Sequence, residues 1–144
     1  MKTVRQVLGA KGTTVQTIGP DDSVFDALTK MARENVGALV VIRDGEVVGL
    51  FSERDYSRKV ILVGKSSRET PVRDIMSHPV ICVSSRHGVD ACMKIMTNER
   101  IRHLPVLENG QLAGIVSIGD VVKTIIEEQQ FTIEQLEHYI SGRG

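Results

Sequence analysis

The sequence predicts an α/β fold of the α+β kind. Two tandem β-α-β-β-α units pack as a pseudo-twofold pair, and an extra C-terminal helix follows. Three observations carry this. First, the chain repeats itself. Gly45-Glu46-Val47-Val48-Gly49-Leu50-Phe51-Ser52-Glu53-Arg54-Asp55 returns as Gly110-Gln111-Leu112-Ala113-Gly114-Ile115-Val116-Ser117-Ile118-Gly119-Asp120, at an offset of 65 residues that holds without a gap from residues 15–61 onto 80–126. Second, Ala38-Leu39-Val40-Val41-Ile42 is a continuous apolar run rich in β-branched residues, the mark of a strand buried on both faces. Third, Asp44-Gly45 and Asn109-Gly110 are favoured two-residue hairpin turns at matching places. Two copies are too few for a solenoid, which needs roughly three or more repeats.

The elements follow in order. Val4-Arg5-Gln6-Val7-Leu8 is a short lead-in helix, echoed by Pro71-Val72-Arg73-Asp74-Ile75-Met76. Val4 maps to Val72 at 68 residues rather than 65, so the first copy carries about three extra residues, placed in a loop around Lys11-Gly12. Val15-Gln16-Thr17-Ile18 is a short strand, and its counterpart holds Cys82. Ser23 is the N-cap of the next helix, with Asp26 at the third helical position. Val24, Ala27, Leu28 and Met31 form its apolar face, as Val89, Cys92, Met93 and Met96 do in the second copy. Residues 47–51 and 112–116 are the return strands. Helices follow at about 53–63 and 119–130. Thr132-Ile133-Glu134-Gln135 is a capping box that starts a separate terminal helix, with Ile133, Leu136 and Ile140 on one side. The expected boundaries are a lead-in at 1–14, a first repeat at 15–63, a linker and second lead-in at 64–79, a second repeat at 80–128 and a tail at 129–144.

Bulk properties narrow the function. The 144 residues carry 18 Lys+Arg and 18 Asp+Glu, a formal charge of zero, which argues against a broad footprint for nucleic acid or anionic membrane. No apolar run approaches the roughly 18 residues of a membrane span. The first residues lack the apolar core of a secretion signal, so the cytoplasm is the expected location. Cys82 and Cys92 read as buried free thiols, and neither C-x-x-C nor clustered His points to a metal.

The shared chemistry is Gly-x-x-Ser-x-x-Asp at a strand-to-helix junction: Gly49…Ser52…Asp55 and Gly114…Ser117…Asp120. Gly has no Cβ, so another group can approach the backbone closely there. Ser at an N-cap lies beside free N–H groups and the positive end of the helix dipole, which suit a phosphate. Asp one turn on suits vicinal sugar hydroxyls. The element therefore fits a nucleotide. It equally fits a plain capping box, in which Ser caps the helix and the acid reaches back.

These twin motifs, with Arg102-His103-Leu104-Pro105-Val106 and Val72-Arg73-Asp74-Ile75-Met76, resemble a CBS domain pair (a Bateman module) of the small stand-alone bacterial type. The resemblance covers residues 4 to about 128. It implies a cleft with two pseudo-symmetric sites for AMP, ADP, ATP, NAD or S-adenosylmethionine, and disc-like homodimers. It makes Asp55 and Asp120 ribose acceptors and Ser52 and Ser117 phosphate or hydroxyl donors. It sets the backbone of Thr17-Ile18 and Gly37-Ala38 beside the adenine. The copies differ: Arg54 has Gly119 as its counterpart in the repeat, while Arg102 and His103 replace Gly37 and Ala38. Two sites of unequal charge are the expectation, with Pro105 in the second.

Arg102 and His103 are read as the start of a buried strand, where charge needs a partner, either an anionic ligand or an internal carboxylate. Lys11 reads as a mobile lysine able to close over a phosphate, or as an ordinary solvated one. Arg58 and Lys59 read as a solvated face. An enzyme has little support: the chain lacks H-E-x-x-H, a Walker loop and G-x-G-x-x-G. The expectation is a non-enzymatic regulatory module binding AMP or a related nucleotide (ADP, ATP, NAD, NADH), without metal, as a homodimer with an unidentified regulated protein. The alternatives are an interaction module without ligand and, more weakly, a nucleic-acid binder.

Overall fold

The structure, a computed structural model, describes residues 1–142. It is a mixed α/β chain with two small sheets and five α-helices. In order these are α1 (Val4–Lys11), β1 (Thr17–Ile18), α2 (Val24–Glu34), β2 (Ala38–Arg43), β3 (Glu46–Ser52), α3 (Glu53–Tyr56), α4 (Val89–Glu99), β4 (His103–Glu108), β5 (Gln111–Ser117) and α5 (Ile118–Ile140). The chain gathers into two compact units. One holds residues 1–13, 83–106 and 114 onward; the other holds 14–82 and the hairpin tip 107–113.

In the unit built on residues 14–82, β1 runs parallel to β2, and β2 pairs antiparallel with β3. The first four residues of β2 are all buried, as a strand covered on both faces requires. Val24, Ala27 and Met31 of α2 pack with Leu39, Val41 and Phe51 in one core, and Leu28 is partly buried against it. Ser23 caps α2 by accepting from the Asp26 N–H at 3.0 Å. Asp44 and Gly45 have φ of 51° and 80°, and Asn109 and Gly110 have φ of 52° and 78°. Both hairpins therefore turn through two left-handed residues, as Asp-Gly and Asn-Gly permit.

The lead-ins are exchanged. The first, ending in α1, docks on the start of α4: Val4 N–H donates to His87 O at 2.8 Å and Val89 N–H to Lys2 O at 3.0 Å. The second docks on the start of α2, with Val72 N–H to Asp22 O at 2.8 Å and Val24 N–H to Thr70 O at 2.9 Å. This explains the motif glycines. A Cβ on Gly49 would fall 2.3 Å from Met76 Sδ, and one on Gly114 would fall 2.8 Å from both Leu8 methyls. The close approach belongs to lead-in side chains of the protein itself. Gly114→Ala is expected to cost about 1–2 kcal/mol, the usual range for overpacking a filled core. Urea unfolding checks it, and an unchanged midpoint would mean that Leu8 yields freely.

Four sequence expectations are corrected. Lys11 is the last residue of α1, not part of a loop; the extra residues extend that helix, whereas the second lead-in holds only a 3₁₀ turn at Val72–Asp74. Cys82 lies outside any strand, because the second copy keeps only a Val83–Val106 parallel bridge in place of β1. The helix expected at 53–63 is α3 continued by a π turn, Ser57–Ile61, where β-branched residues precede Gly64. Finally, α5 runs unbroken for 23 residues through Thr132. No Gly or Pro interrupts it there, so the N–H groups that a cap at Thr132 would serve are already bonded within the helix. The last two residues of the expected tail, 143–144, lie outside the described residues.

Candidate functional site

Each unit carries one copy of the motif. In the first copy Ser52 accepts from the Asp55 N–H at 3.4 Å, and Asp55 Oδ2 accepts from the Ser52 N–H at 2.9 Å. In the second, Ser117 accepts from the Asp120 N–H at 3.1 Å, and Asp120 Oδ2 from the Ser117 N–H at 2.8 Å. Both are complete capping boxes. The residue before the first strand of each hairpin, β2 or β4, supplies a further cap: Glu53 N–H donates to Gly37 O at 3.2 Å, and Ile118 N–H to Arg102 O at 2.8 Å. Two of the first three N–H groups of each helix are thus taken, leaving less donor capacity for an anion than the sequence suggested.

The aspartates differ in what else they hold. Asp55 is 7% exposed. Its Oδ2 also accepts from Ser52 Oγ at 3.1 Å, while Oδ1 takes Ser77 Oγ at 2.9 Å and Lys59 Nζ at 3.0 Å. Lys59 is anchored as well to Ile75 O at 3.1 Å, so this exposed lysine also ties the fold together. Asp120 instead receives Lys11 Nζ on Oδ2 at 2.6 Å, and Lys11 also donates to Ile115 O at 3.0 Å. The Asp120 side chain is 22% exposed. A small cavity of about 120 Å³ opens beside this pair, lined also by Gln6, Lys123 and Thr124. Lys59 was read from sequence only as part of a solvated face, and neither Ser77 nor the Ile115 carbonyl was singled out. Lys59 had a signal, four residues after Asp55 on a helix; Ser77 had none.

The other expected residues fall into two groups. Ala38 is paired across the sheet with Ser52, so Gly37, Ala38, Ser52 and Asp55 share one end of the first sheet. Gly37 also lines a cavity of about 300 Å³ with Leu28, Met31, Asn35, Val36 and Glu53. Thr17 and Ile18 pair with Val40 and Val41, two residues further along β2, and the Thr17 carbonyl already accepts from Lys30 Nζ. Arg54 is half-buried at the second position of α3. In the second copy His103 opens β4, and Pro105 is buried two residues on, its carbonyl bonded by Val83 N–H. Arg102 precedes the strand and is exposed, and among the described residues no carboxylate pairs with it. Arg102, expected at the start of a buried strand, is instead solvated and needs no internal counter-charge.

Electrostatics distinguish the second copy. Burial alone would push the Asp120 carboxyl up, but the Lys11 ammonium and the Ser117 donors outweigh it and hold it below the usual carboxylate range. His103 is pushed below the ordinary imidazole value by burial first, then by Lys11 and Arg102, with Asp120 opposing. The unfolded imidazole titrates near pH 6.5. A depressed folded value means that the His103 contribution to stability is complete above about pH 6.5 and is lost as pH falls through the folded value. The protein is expected to melt lower at pH 5 than at pH 7, with a smaller drop in His103→Gln. Equal drops would place the pH dependence elsewhere.

Among the described residues no group of three or more His, Cys, Asp or Glu could hold a metal, and no helix is long and apolar enough to cross a membrane. Cys92 is fully buried and Cys82 partly so; burial raises both thiols above their ordinary value, a state unsuited to thiolate chemistry.

The paired motif is matched outside this chain. The family model described as CBS domain matches residues 10–61 and 72–127. The protein belongs to the CBS domain family. It is 40% identical over 149 residues to the mitochondrial CBS domain-containing protein CBSX3 of Arabidopsis thaliana, covering 97% of this chain and 72% of that one. A solved protein with CBS domains from Burkholderia ambifaria is 46% identical with a TM-score of 0.86, covering 92% and 99% of the two chains. The same fold recurs at 20% identity and a TM-score of 0.77, over 89% and 98% of the chains, in a CBS domain pair solved with 5′-methylthioadenosine and S-adenosyl-L-methionine. CBS domain pairs are generally regulatory, nucleotide-binding modules without catalysis of their own.

Proposed function

We propose that this CBS pair is a regulatory module that binds an adenine nucleotide (AMP, or ADP, ATP, NAD or NADH) and reports energy or redox state by changing its shape or its association with another protein. The observation that carries this reading is the Lys11–Asp120 pair beside Ser117: an acceptor for sugar hydroxyls and a cation for phosphate, adjacent to each other and partly open to solvent. Arg102 lies beside it, its carbonyl accepting from the Ile118 N–H, and His103 is near enough to feel the charges of Lys11 and Asp120; the exposed Arg102 suits a phosphate reached from solvent. The site at Ser52 and Asp55, with Gly37, Ala38, Thr17, Ile18 and Arg54 nearby, is the less accessible of the two. Asp55 there must exchange Ser77 or Lys59 for a ribose. The chain works as a homodimer in the cytoplasm on this reading, and its ligand acts as a signal only through different affinity for two conformations.

The test is thermal unfolding with AMP, ADP, ATP, NAD, NADH and S-adenosylmethionine. A site held at about 100 times Kd adds roughly 2.7 kcal/mol, an easily seen shift. At least one of these ligands is expected to raise the melting temperature. No shift with any of them would favour the rival reading, an interaction module whose motifs are caps alone.

A further inference from the structure

The cavity beside Asp120 holds more cations than the Lys11–Asp120 pair uses. It lies between α1 and α5, wholly within the unit of residues 1–13, 83–106 and 114 onward. Lys2, Lys11 and Lys123 bring three positive charges to it, against the carboxylates of Asp120 and Glu127. Lys11 is committed to Asp120. Lys2 reaches Glu127 only at 3.9 Å, with side chains 44% and 52% exposed, so solvent screens that pair. Lys123 is different: among the described residues no carboxylate pairs with it and no acceptor takes its ammonium. It stands three residues after Asp120, about 4.5 Å further along the α5 axis. Gln6 spends its Oε1 on the Thr3 N–H at 2.9 Å, which leaves its NH₂ as a donor. At about 120 Å³ the cavity is well below the roughly 300–1,000 Å³ of a pocket that encloses a whole organic ligand. It suits a small anion or the charged end of a larger ligand.

We propose that this cavity is an oxyanion site for a phosphate beyond the first. In a nucleotide the first phosphate lies at Lys11 and the next at Lys123 and the Gln6 amide, so a di- or triphosphate is favoured over a monophosphate. The chemistry recognised is that of a pyrophosphate group, whether it ends a nucleotide or stands free. Only the nucleotide form rests on the proposed function. A lysine ammonium is a compact charge with three donors, and its bonds to phosphate are charge-assisted. AMP in the same place leaves Lys123 to water. Glu127 opposes an anion at the far end of the cavity, which sets the second phosphate at the Lys123 end.

Calorimetry with AMP and ADP in magnesium-free buffer tests it, on the full-length wild type, Lys123→Met and Lys123→Arg. Wild type is expected to bind ADP about ten- to a hundredfold more tightly than AMP. In Lys123→Met, ADP is expected to fall to the affinity of AMP, while AMP itself changes less than about threefold. Lys123→Arg restores the charge and is expected to keep most of the preference. Lys123 is exposed, so both variants are expected to melt with wild type. Equal affinity of wild type for AMP and ADP would overturn the proposal. So would an ADP preference that Lys123→Met leaves intact, since the second phosphate then lies elsewhere. If neither nucleotide binds, the proposed function falls, and inorganic pyrophosphate decides the cavity. A rise in melting temperature that Lys123→Met removes would keep the oxyanion site for a free anion; no rise would overturn it as well.

Discussion

Asp55→Asn is expected to destabilise the unliganded protein by about 2–3 kcal/mol, and Asp120→Asn by only about 1 kcal/mol. The two positions are equivalent in the repeat and carry the same capping box, so the sequence gives no reason for a difference. The structure does. Asp55 is 7% exposed, and its two oxygens accept from the Ser52 N–H, Ser52 Oγ, Ser77 Oγ and Lys59 Nζ. An asparagine keeps one acceptor oxygen and turns an NH₂ toward groups that are themselves donors. Hydrogen bonds to a charged group contribute about 1.5–3 kcal/mol, and a buried donor left unpaired adds its own cost. Lys59 is 44% exposed, so its share is screened and the ion pair alone is not the main term. Asp120 is more open and keeps its cap as the amide. At this chain length about 2–3 kcal/mol lowers Tm by roughly 6–12 °C. Paired urea and thermal unfolding of the two variants is the check. Equal losses would show that Ser77 and Lys59 contribute nothing beyond the cap.

That asymmetry bears on how each site can work. On the nucleotide reading, a ligand at Asp55 would have to displace partners that hold the second lead-in in place: Ser77 follows the 3₁₀ turn, and Lys59 ties the π turn to Ile75 O. A ligand at Asp120 meets a single lysine at the end of α1. On that reading, binding at the first site would be coupled to local rearrangement, and binding at the second largely to the movement of one side chain. A regulatory module gains from such inequality, because only the rearranging site yields a conformational signal.

Much of the architecture was legible because its signals are local. The Asp-Gly and Asn-Gly turns, the Ser23 cap and the buried run at β2 each depend on neighbours within a few residues, and the 65-residue repeat shows each of these local signals twice. The unbroken α5 was missed because Thr132-x-x-Gln135 has the composition of a cap, and composition alone does not show whether the backbone N–H groups are already bonded. The partners of the two aspartates were out of reach for a different reason. Lys11 lies 109 residues from Asp120, and Ser77 lies 22 from Asp55, with no periodicity linking either pair. The motif glycines were read correctly as sites of close approach, but the approaching group is Met76 or Leu8. Arg102 was misplaced by one residue. The strand starts at His103, and that single step is the difference between a buried charge and a solvated one.

Asp120→Asn is expected to weaken binding of AMP and of adenosine by the same factor, about ten- to a hundredfold, whereas Lys11→Met is expected to weaken AMP far more than adenosine. On the nucleotide reading Asp120 takes the ribose hydroxyls, which both ligands share. The amide offers one acceptor where the carboxylate offers two and carries no charge, a loss of roughly 1.5–3 kcal/mol. Lys11 has three donors, of which Asp120 Oδ2 and Ile115 O use two in the unliganded protein. The third, or the one released when ribose takes over Asp120, is available to a phosphate that adenosine lacks. Lys11→Met keeps the length and apolar stem of the side chain while removing the charge, so α1 retains its packing. Calorimetry with the two ligands on the two variants gives four affinities that separate the roles. If AMP binds Asp120→Asn as tightly as wild type while the unliganded variant is less stable, Ser117 and Asp120 form a helix cap and nothing more. If Lys11→Met weakens both ligands equally, the lysine only orients Asp120. If it tightens both, Lys11 is a plug that the ligand must displace, and the phosphate lies elsewhere.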